Sequence, residues 1–515
     1  MADSSALPPP PSDDDVVPDP LIQDAPISLS ESTDGSEGGK LKMIVQLVKR
    51  CLGVKDIAAL RISLPASLLE PIPNLEYWTY LDRPDLFAAI NDSTDPFERL
   101  LAVLRFSFSK DLKFIHGKIV KPYNSVLGEH FRAHWTVKPV SYPSDPTEPP
   151  IVHSHFRSPS SSTSTPSESA SVKSSGSKKS WAGRTQNGIV NGDDSGAVDL
   201  RSALAADTSK TSLAKSSVTG PEALRVVFIT EQVSHHPPIS SFHCAVPEKG
   251  IQASGVDQIS AKISGTSVRV QPGDANKGIF IKLTSGPGAG ESYQITHPVA
   301  TVNGLLRGSP YATICESTII TCTSPRAKQH LRVIIEYKDE AWIGRAQYLV
   351  EGVIHQYDPG NDGHKEWTRV KHVPSTHIIA MFEGSWRTRI YWRRVGEAVR
   401  VDKSPVFERC RRQMLIDLST LAVVPKTVRP LDQQDAFESR KLWEAVTSNL
   451  LRRNFGEATK KKQIIEQAQR DRAAERKQKG IEFKPVYFHA DISTGAPRLS
   501  DAGRKAIEAE FASQP

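Results

Sequence analysis

Cysteine is scarce in this chain: five among 515 residues, at Cys51, Cys244, Cys315, Cys322 and Cys410. The number is odd and no C-x-x-C pair occurs. That pattern excludes a disulfide framework or a zinc site and fits reduced thiols in a cytosolic protein. Long apolar runs are missing too. Nothing approaches the ~20 apolar residues that span a bilayer, and the first residues, Met-Ala-Asp-Ser-Ser-Ala, a proline run and Asp13-Asp14-Asp15, lack the basic start and apolar centre of a secretory signal. Membrane contact is therefore expected to be peripheral. The net charge of +7 comes without the dense basic stripe of a nucleic-acid binder, so no nucleic acid is expected as partner. Catalytic motifs are absent as well: no G-x-S-x-G elbow, no H-E-x-x-H and no G-x-x-x-x-G-K-[ST] loop. No enzyme is expected.

What is present divides by composition. Residues 1–39 are rich in Pro, Ser, Asp and Gly, too poor in apolar surface to offset the entropy of ordering, and read as a disordered tail. From Lys40, the residues Leu41, Ile44, Val45, Val48 and Leu52 recur at helical spacing among Lys42, Lys49 and Arg50. This basic amphipathic helix reads either as a stripe docked on the domain or as a membrane-sensing lid. A second helix is expected from Pro96 to about Phe114, with Asp95 as N-cap and apolar residues on more than one side, hence buried. Residues 141–221 turn to Ser, Thr, Pro, Gly and Lys and read as a disordered insert, because strand-like sequence resumes directly beyond it.

Between Leu224 and about Arg394 short β-branched and aromatic runs alternate with turn residues, among them Leu224–Thr230, Gly278–Leu283, Thr318–Cys322, Leu331–Tyr337 and Tyr348–Ile354. Such spacing indicates an antiparallel sandwich or barrel. Gly286-Pro-Gly-Ala-Gly290 reads as a hairpin loop. Beyond Pro430 the pattern turns helical, with a charged helix from about Glu457 to Lys479 closed by Gly480.

Three groups suit an anion. His235 and His236 precede Pro237-Pro238, which stops a strand and leaves the pair at a rim. An imidazole titrates near ~6.5, and a phosphate would raise that value and make both rings donors. An H-x-H pair at His153 and His155 lies in the insert, where nothing would orient ligands, and no metal site is expected. Lys462, Glu466 and Arg470 follow i, i+4, i+8 spacing and share a helix face, which taken alone reads first as a solvated ion-pair ladder. Lys121-Pro-Tyr-Asn124 is a stiffened turn with one cation and one amide.

Glu231-Gln-Val-Ser-His-His-Pro-Pro238 resembles the signature of the oxysterol-binding-protein-related family. Lys121-Pro-Tyr-Asn-Ser-Val-Leu-Gly-Glu129 resembles its K-P-x-N-P-x-L-G-E block, departing at Ser125, and Lys462, Glu466 and Arg470 fit its K-x-x-x-E-x-x-x-R helix. The resemblance covers roughly 40–490 and is to the family's short members. It implies an all-β core with helical additions: a large incomplete antiparallel barrel (about 116–400) around a lipid tunnel, an N-terminal lid (about 40–72) and a C-terminal helical region (about 430–490), all within one lipid-binding domain over 40–515. It implies a monomeric, cofactor-free carrier, cytosolic and transiently on anionic membranes at endoplasmic reticulum, Golgi or plasma-membrane contacts, that exchanges phosphatidylinositol 4-phosphate for a sterol or phosphatidylserine. The open alternative is a lipid sensor signalling through a protein partner.

By the same resemblance Lys121, His235, His236, Lys462 and Arg470 would grip the inositol and its 4-phosphate, and Glu466 and Asn124 would bond hydroxyls or a second headgroup. Leu64, Leu68 and Leu69 lie in Leu64-Pro-Ala-Ser-Leu-Leu-Glu-Pro71, which resembles the lid-side segment of phosphatidylserine carriers. Trp78 matches an aromatic of the sterol-carrier tunnel, whereas Phe114 and Ile115 stand where sterol carriers place polar residues.

Overall fold

The computed structural model describes residues 27–28, 37–51, 54, 56–57, 62–116, 120–145, 147–153, 223–304, 311–325, 327–340, 346–395 and 412–513. The β-branched runs form a twelve-stranded antiparallel sheet in which every strand lies beside the one before it in that sheet. Its strands run from His130–Val137 and Leu224–His235 through Pro238–Val246, Ile251–Asp257, Ile279–Leu283 and Ser292–Ile295. It continues through Ser317–Thr323, His330–Tyr337, Leu349–Tyr357, Ile378–Ser385 and Arg389–Arg394 to Gln413–Asp417. Two excursions build a second, four-stranded sheet in the order Tyr311–Cys315, Val299–Asn303, Ser267–Pro272, Ile259–Ser264. Gly286–Gly290 is the hairpin loop between Ile279–Leu283 and Ser292–Ile295.

Helix Pro96–Ser109 fills the hollow of the large sheet. Pro sits in its first turn, the Asp95 carboxylate caps it by accepting from Phe97 N at 2.8 Å, and eleven of its fourteen residues are buried. It touches distant strands: Phe97 packs on Trp392 with ring centroids 5.4 Å apart, Phe108 on Phe382 at 6.2 Å, and Arg105 Nε donates to Leu415 O at 3.0 Å. A flat sheet of twelve strands would not bring these partners to one helix, so the sheet curls around it. It stays open, because its first and last strands are not neighbours. The first strand's outer edge is covered instead by His134–Thr427 backbone pairing and by His130 N donating to Phe437 O at 3.1 Å.

Burial of the helix forces its cations to find partners. Arg99, 3% exposed, donates Nε to Glu291 Oε2 at 2.9 Å, and Tyr293 Oη donates to the same carboxylate at 2.7 Å.

Several expectations change at the borders. Within the stretch read as a tail, Ile27–Ser28 pair in parallel with Ile62–Ser63, and the first helix is Glu37–Arg50. Its buried contacts are Met43, with Cys51 just beyond its end, rather than the Ile44/Val45 stripe, which is half-buried. The second helix stops at Ser109 and a short one follows at Lys113–His116. The insert begins later than residue 141: Ser141 and Ile151 exchange backbone bonds of 2.9 and 2.8 Å and Val152 is buried, because a local antiparallel bridge satisfies these backbone groups without a large core. Residues 154–222 and Cys410 lie outside the described residues. The large sheet extends past 400 to Asp417, and helix Asp501–Ala512 lies beyond the expected helical region, packing Ala506 with Ile229, Tyr487 and Phe488.

Replacing Arg99 with Ala leaves the Glu291 carboxylate buried with only Tyr293 as donor. The expected loss is about 3–5 kcal/mol, read as a lower urea midpoint at unchanged m-value.

Candidate functional site

Two buried glutamates tie the first two motifs to the segments before and after the helix that carries the third. Glu129, fully buried, accepts from Val126 N at 3.0 Å, Trp443 Nε1 at 3.0 Å and Ser439 Oγ at 2.7 Å, tying the 121–129 block to the C-terminal region. Gly128, at φ 82°, donates its N to Gln232 O at 3.0 Å, and Gln232 N returns to Glu129 O at 2.8 Å, so the first two motifs run side by side. Glu231 accepts from Val486 N at 2.7 Å and Tyr487 N at 2.8 Å and so clamps the segment after the long helix onto the His-His-Pro-Pro strand. Burial pushes the Glu129 carboxyl up to about 7 despite its three donors, and raises Glu231 as well.

Helix Phe455–Lys479 lies along the 121–129 block. Ala458 and Ile465 pack into the cluster of Ala66, Tyr123, Val126, Trp443, Val446 and Leu450, and Tyr123 stacks near Trp443 with ring centroids 4.9 Å apart. Gly480, at φ 62°, closes the helix, as its position predicts.

Lys462 is buried, 3% exposed, and its ammonium donates to Glu466 Oε1 at 2.6 Å and to Ser63 Oγ at 2.8 Å. Ser63 Oγ donates in turn to Glu466 Oε2 at 2.9 Å. Lys121 donates to Asn124 Oδ1 at 2.8 Å and Pro122 O at 2.9 Å. Its side chain is exposed, yet protein atoms crowd the ammonium; that crowding and the Lys462 cation nearby hold its pKa down to about 8. Arg470 is exposed and its guanidinium donates to Gln467 Oε1 at 3.0 and 2.8 Å. Together with Ser63, Lys460, Gln463, Ile464, Glu466 and Gln467 it lines a groove of about 560 Å³. His235 ends its strand and His236 opens the turn after it, with ring centroids 4.4 Å apart, His235 half-buried and His236 exposed. Lys121, Asn124, Lys462 and Glu466 thus come together, Arg470 shares Glu466's groove, and the histidines stand three and four residues beyond Gln232 at the end of the adjoining strand.

The apolar candidates divide. Leu69 packs on the Tyr123–Trp443 cluster, Leu68 ends the short turn Ala66–Leu68, and Leu64 is half-buried beside Ser63. Trp78 and Phe114 meet at 5.4 Å, with the Lys113 ammonium 5.8 and 5.3 Å from their ring centroids, and Ile115 is 6% exposed. The same lysine sits 3.4 Å from Asp82. Deeper in, Tyr80 Oη donates to Asp257 at 2.7 Å, and burial pushes that carboxyl up to about 7. His130, Asp435 and Glu438 could converge on a cation, but Arg132 and Arg429 already donate to Glu438, a pairing that disfavours one. Sequence reasoning missed Ser63, Glu129 and Glu231: a lone serine carries no signal, and apart from Val126 the glutamates' partners are over 250 residues away.

Residues 43–186 and 216–456 match the family model described as oxysterol-binding protein. The chain belongs to the oxysterol-binding protein family. Oxysterol-binding protein-like protein 1 of Schizosaccharomyces pombe is 39% identical to it over 92% of this chain and 91% of that one. Human oxysterol-binding protein-related protein 10 is 26% identical over 90% of this chain, which spans only 49% of that longer relative. Among solved structures, the Osh1 ORD domain in complex with cholesterol covers 95% of this chain at TM-score 0.55 and 16% identity, 93% of that chain being matched. The Osh3 ORD of Saccharomyces cerevisiae in complex with PI(4)P covers 91% at TM-score 0.50 and 15% identity, with 93% of that chain matched. These likenesses carry the fold, an incomplete antiparallel barrel with helical additions. The family makes this a lipid-binding and lipid-transfer domain, and no described helix is long and apolar enough to cross a membrane.

The raised Glu129 carboxyl predicts a pH signature. The folded state holds that proton more tightly than the unfolded chain, so its contribution is full below about pH 4.5 and lost as pH rises through about 7. Glu129→Gln should lessen the fall of stability between those limits, the remainder coming from Asp257 and Glu231, as followed by urea unfolding at stepped pH.

Proposed function

We propose that this protein carries phosphatidylinositol 4-phosphate and exchanges it between membranes for a second lipid, a sterol or phosphatidylserine. The observation that carries the reading is the buried Lys462 with Lys121 beside it, two cations balanced within the cluster by the single carboxylate Glu466. Two like charges this close repel, and an anion bound between them would relieve that repulsion. A phosphate monoester brings about −1.5 to −2 charges and three strong acceptor oxygens, and its bonds to ammonium groups are charge-assisted. Arg470 across the groove and the His235–His236 pair would complete the clamp, with Asn124 and Glu466 available to ring hydroxyls. Solved relatives bound to PI(4)P in one case and to cholesterol in another support the two cargo classes.

For the second cargo, Phe114 and Ile115 present no hydroxyl-binding group of their own, and Trp78 packs on Phe114. Leu64, Leu68 and Leu69 with helix Glu37–Arg50 would form the lid side, and the protein would work in the cytosol, touching membranes at contact sites.

Vesicles carrying labelled phosphatidylinositol 4-phosphate test the reading. The wild type should extract it and deliver it to acceptor vesicles, and the double variant His235→Ala/His236→Ala should lose at least ~tenfold in extraction, since each removed donor to a charged group weakens binding by roughly tenfold. Equal extraction by both proteins would sink the headgroup assignment.

Lys121 adds a pH dependence. Free protein loses this cation as pH rises through about 8, whereas the phosphate is already dianionic above ~6. Affinity for inositol 1,4-bisphosphate should therefore fall between pH 7 and 9 in calorimetry, and Lys121→Arg, which cannot deprotonate there, should remove the fall.

A further inference from the structure

The bond triangle of Ser63, Lys462 and Glu466 joins two parts of the molecule that have no covalent reason to move together. Ser63 belongs to a strand pair: Ile62–Ser63 align in parallel with Ile27–Ser28. Its hydroxyl lies between the buried Lys462 ammonium, from which it accepts, and Glu466 Oε2, to which it donates. Three residues on, Ala66 N donates to Thr459 Oγ1 at 3.0 Å, and Ala66 is fully buried against helix Phe455–Lys479. The strap 62–69 is therefore held to the helix at two points one turn apart, and one of them is the cation that faces Lys121.

We propose that Ser63 is a displaceable latch, released from Lys462 when a phosphate-bearing lipid headgroup binds there, so that capture of the headgroup loosens the strap and the N-terminal strand paired to it. This rests on the phosphoinositide reading above and adds its regulation.

The chemistry is a competition for three protons. Lys462 spends one on Ser63 and one on Glu466, and the Lys121 cation lies near enough to repel it. A phosphate dianion accepts more strongly than a neutral hydroxyl, and it repels the Glu466 carboxylate that Ser63 also holds. Both bonds of the serine are thus weakened by one event. What stays on the strap is the Ala66–Thr459 bond, the Leu69 contact and Glu70 N donating to Lys121 O at 3.0 Å, all of them beyond Ser63, so that residues 62 and 63 keep only their pairing with Ile27–Ser28. In the arrangement seen here the serine satisfies Lys462 and holds the strap to the helix, which makes it a competitor of the headgroup.

Ser63→Ala separates the roles, since it deletes the latch and leaves Lys121, Lys462, Glu466 and Arg470 in place. Two measurements on the full chain are made: calorimetric binding of inositol 1,4-bisphosphate, and hydrogen exchange of peptides covering 62–69. The expected results are faster exchange in ligand-free Ser63→Ala than in ligand-free wild type, faster exchange in wild type once the bisphosphate binds, no further rise in the variant, and binding by the variant tighter by roughly tenfold, the low end of the worth of one hydrogen bond to a charged group. Ser63→Thr, which keeps the hydroxyl, should behave as wild type. Equal ligand-free exchange in Ser63→Ala and wild type overturns the latch, as does wild-type binding that leaves exchange at 62–69 unchanged. Absence of any binding by the wild type instead overturns the headgroup reading beneath it.

Discussion

The carboxylate of Glu129 holds this structure's distant parts in one place. It stands where the edge of the large sheet meets the helical C-terminal region, and its two oxygens collect a backbone amide, an indole and a hydroxyl from segments over three hundred residues apart. Glu231 does the same for the segment that follows the long helix. A buried carboxyl with no partners would be expelled or neutralised; one with three donors becomes a fastener. Without these joints the cations of the candidate site would sit on elements with no shared frame, and Lys121 would not meet Lys462.

The second constraint is the helix inside the sheet. Twelve strands that follow one another around Pro96–Ser109 leave little freedom in how the barrel curls, because Phe97 must reach Trp392, Phe108 must reach Phe382 and Arg105 must reach Leu415. The cost of burying Arg99 is met by Glu291, just before the strand Ser292–Ile295. The barrel is therefore shaped from within by packing and closed at its edge by loop backbone, and the polar site lies outside this core, on the joints.

Much of this was legible in the chain. Strand runs, the Asp95 cap, the Gly480 stop and the hairpin at Gly286–Gly290 all follow from local chemistry that acts over a few residues, and the three motifs carry the family by themselves. What escaped was long-range. Glu129 and Glu231 look like ordinary acids until their partners fold onto them, and Ser63 has no local signature. Burial of Met43 and Cys51 depends on what the first helix packs against, which periodicity does not report. The order at Ser141–Ile151 hides in a polar stretch because two backbone bonds, rather than apolar side chains, create it.

One pairing has a consequence for how the molecule tolerates change. Val137 ends its strand opposite Leu224, where the next strand begins. The chain leaves the sheet and returns to it at the same point, so the ladder sees only a closed loop of whatever length. Doubling that length costs about 0.6 kcal/mol in closure entropy, small against the ladder it interrupts. This rim is where the fold can accept a whole foreign domain, or lose most of what it carries there, and keep its barrel.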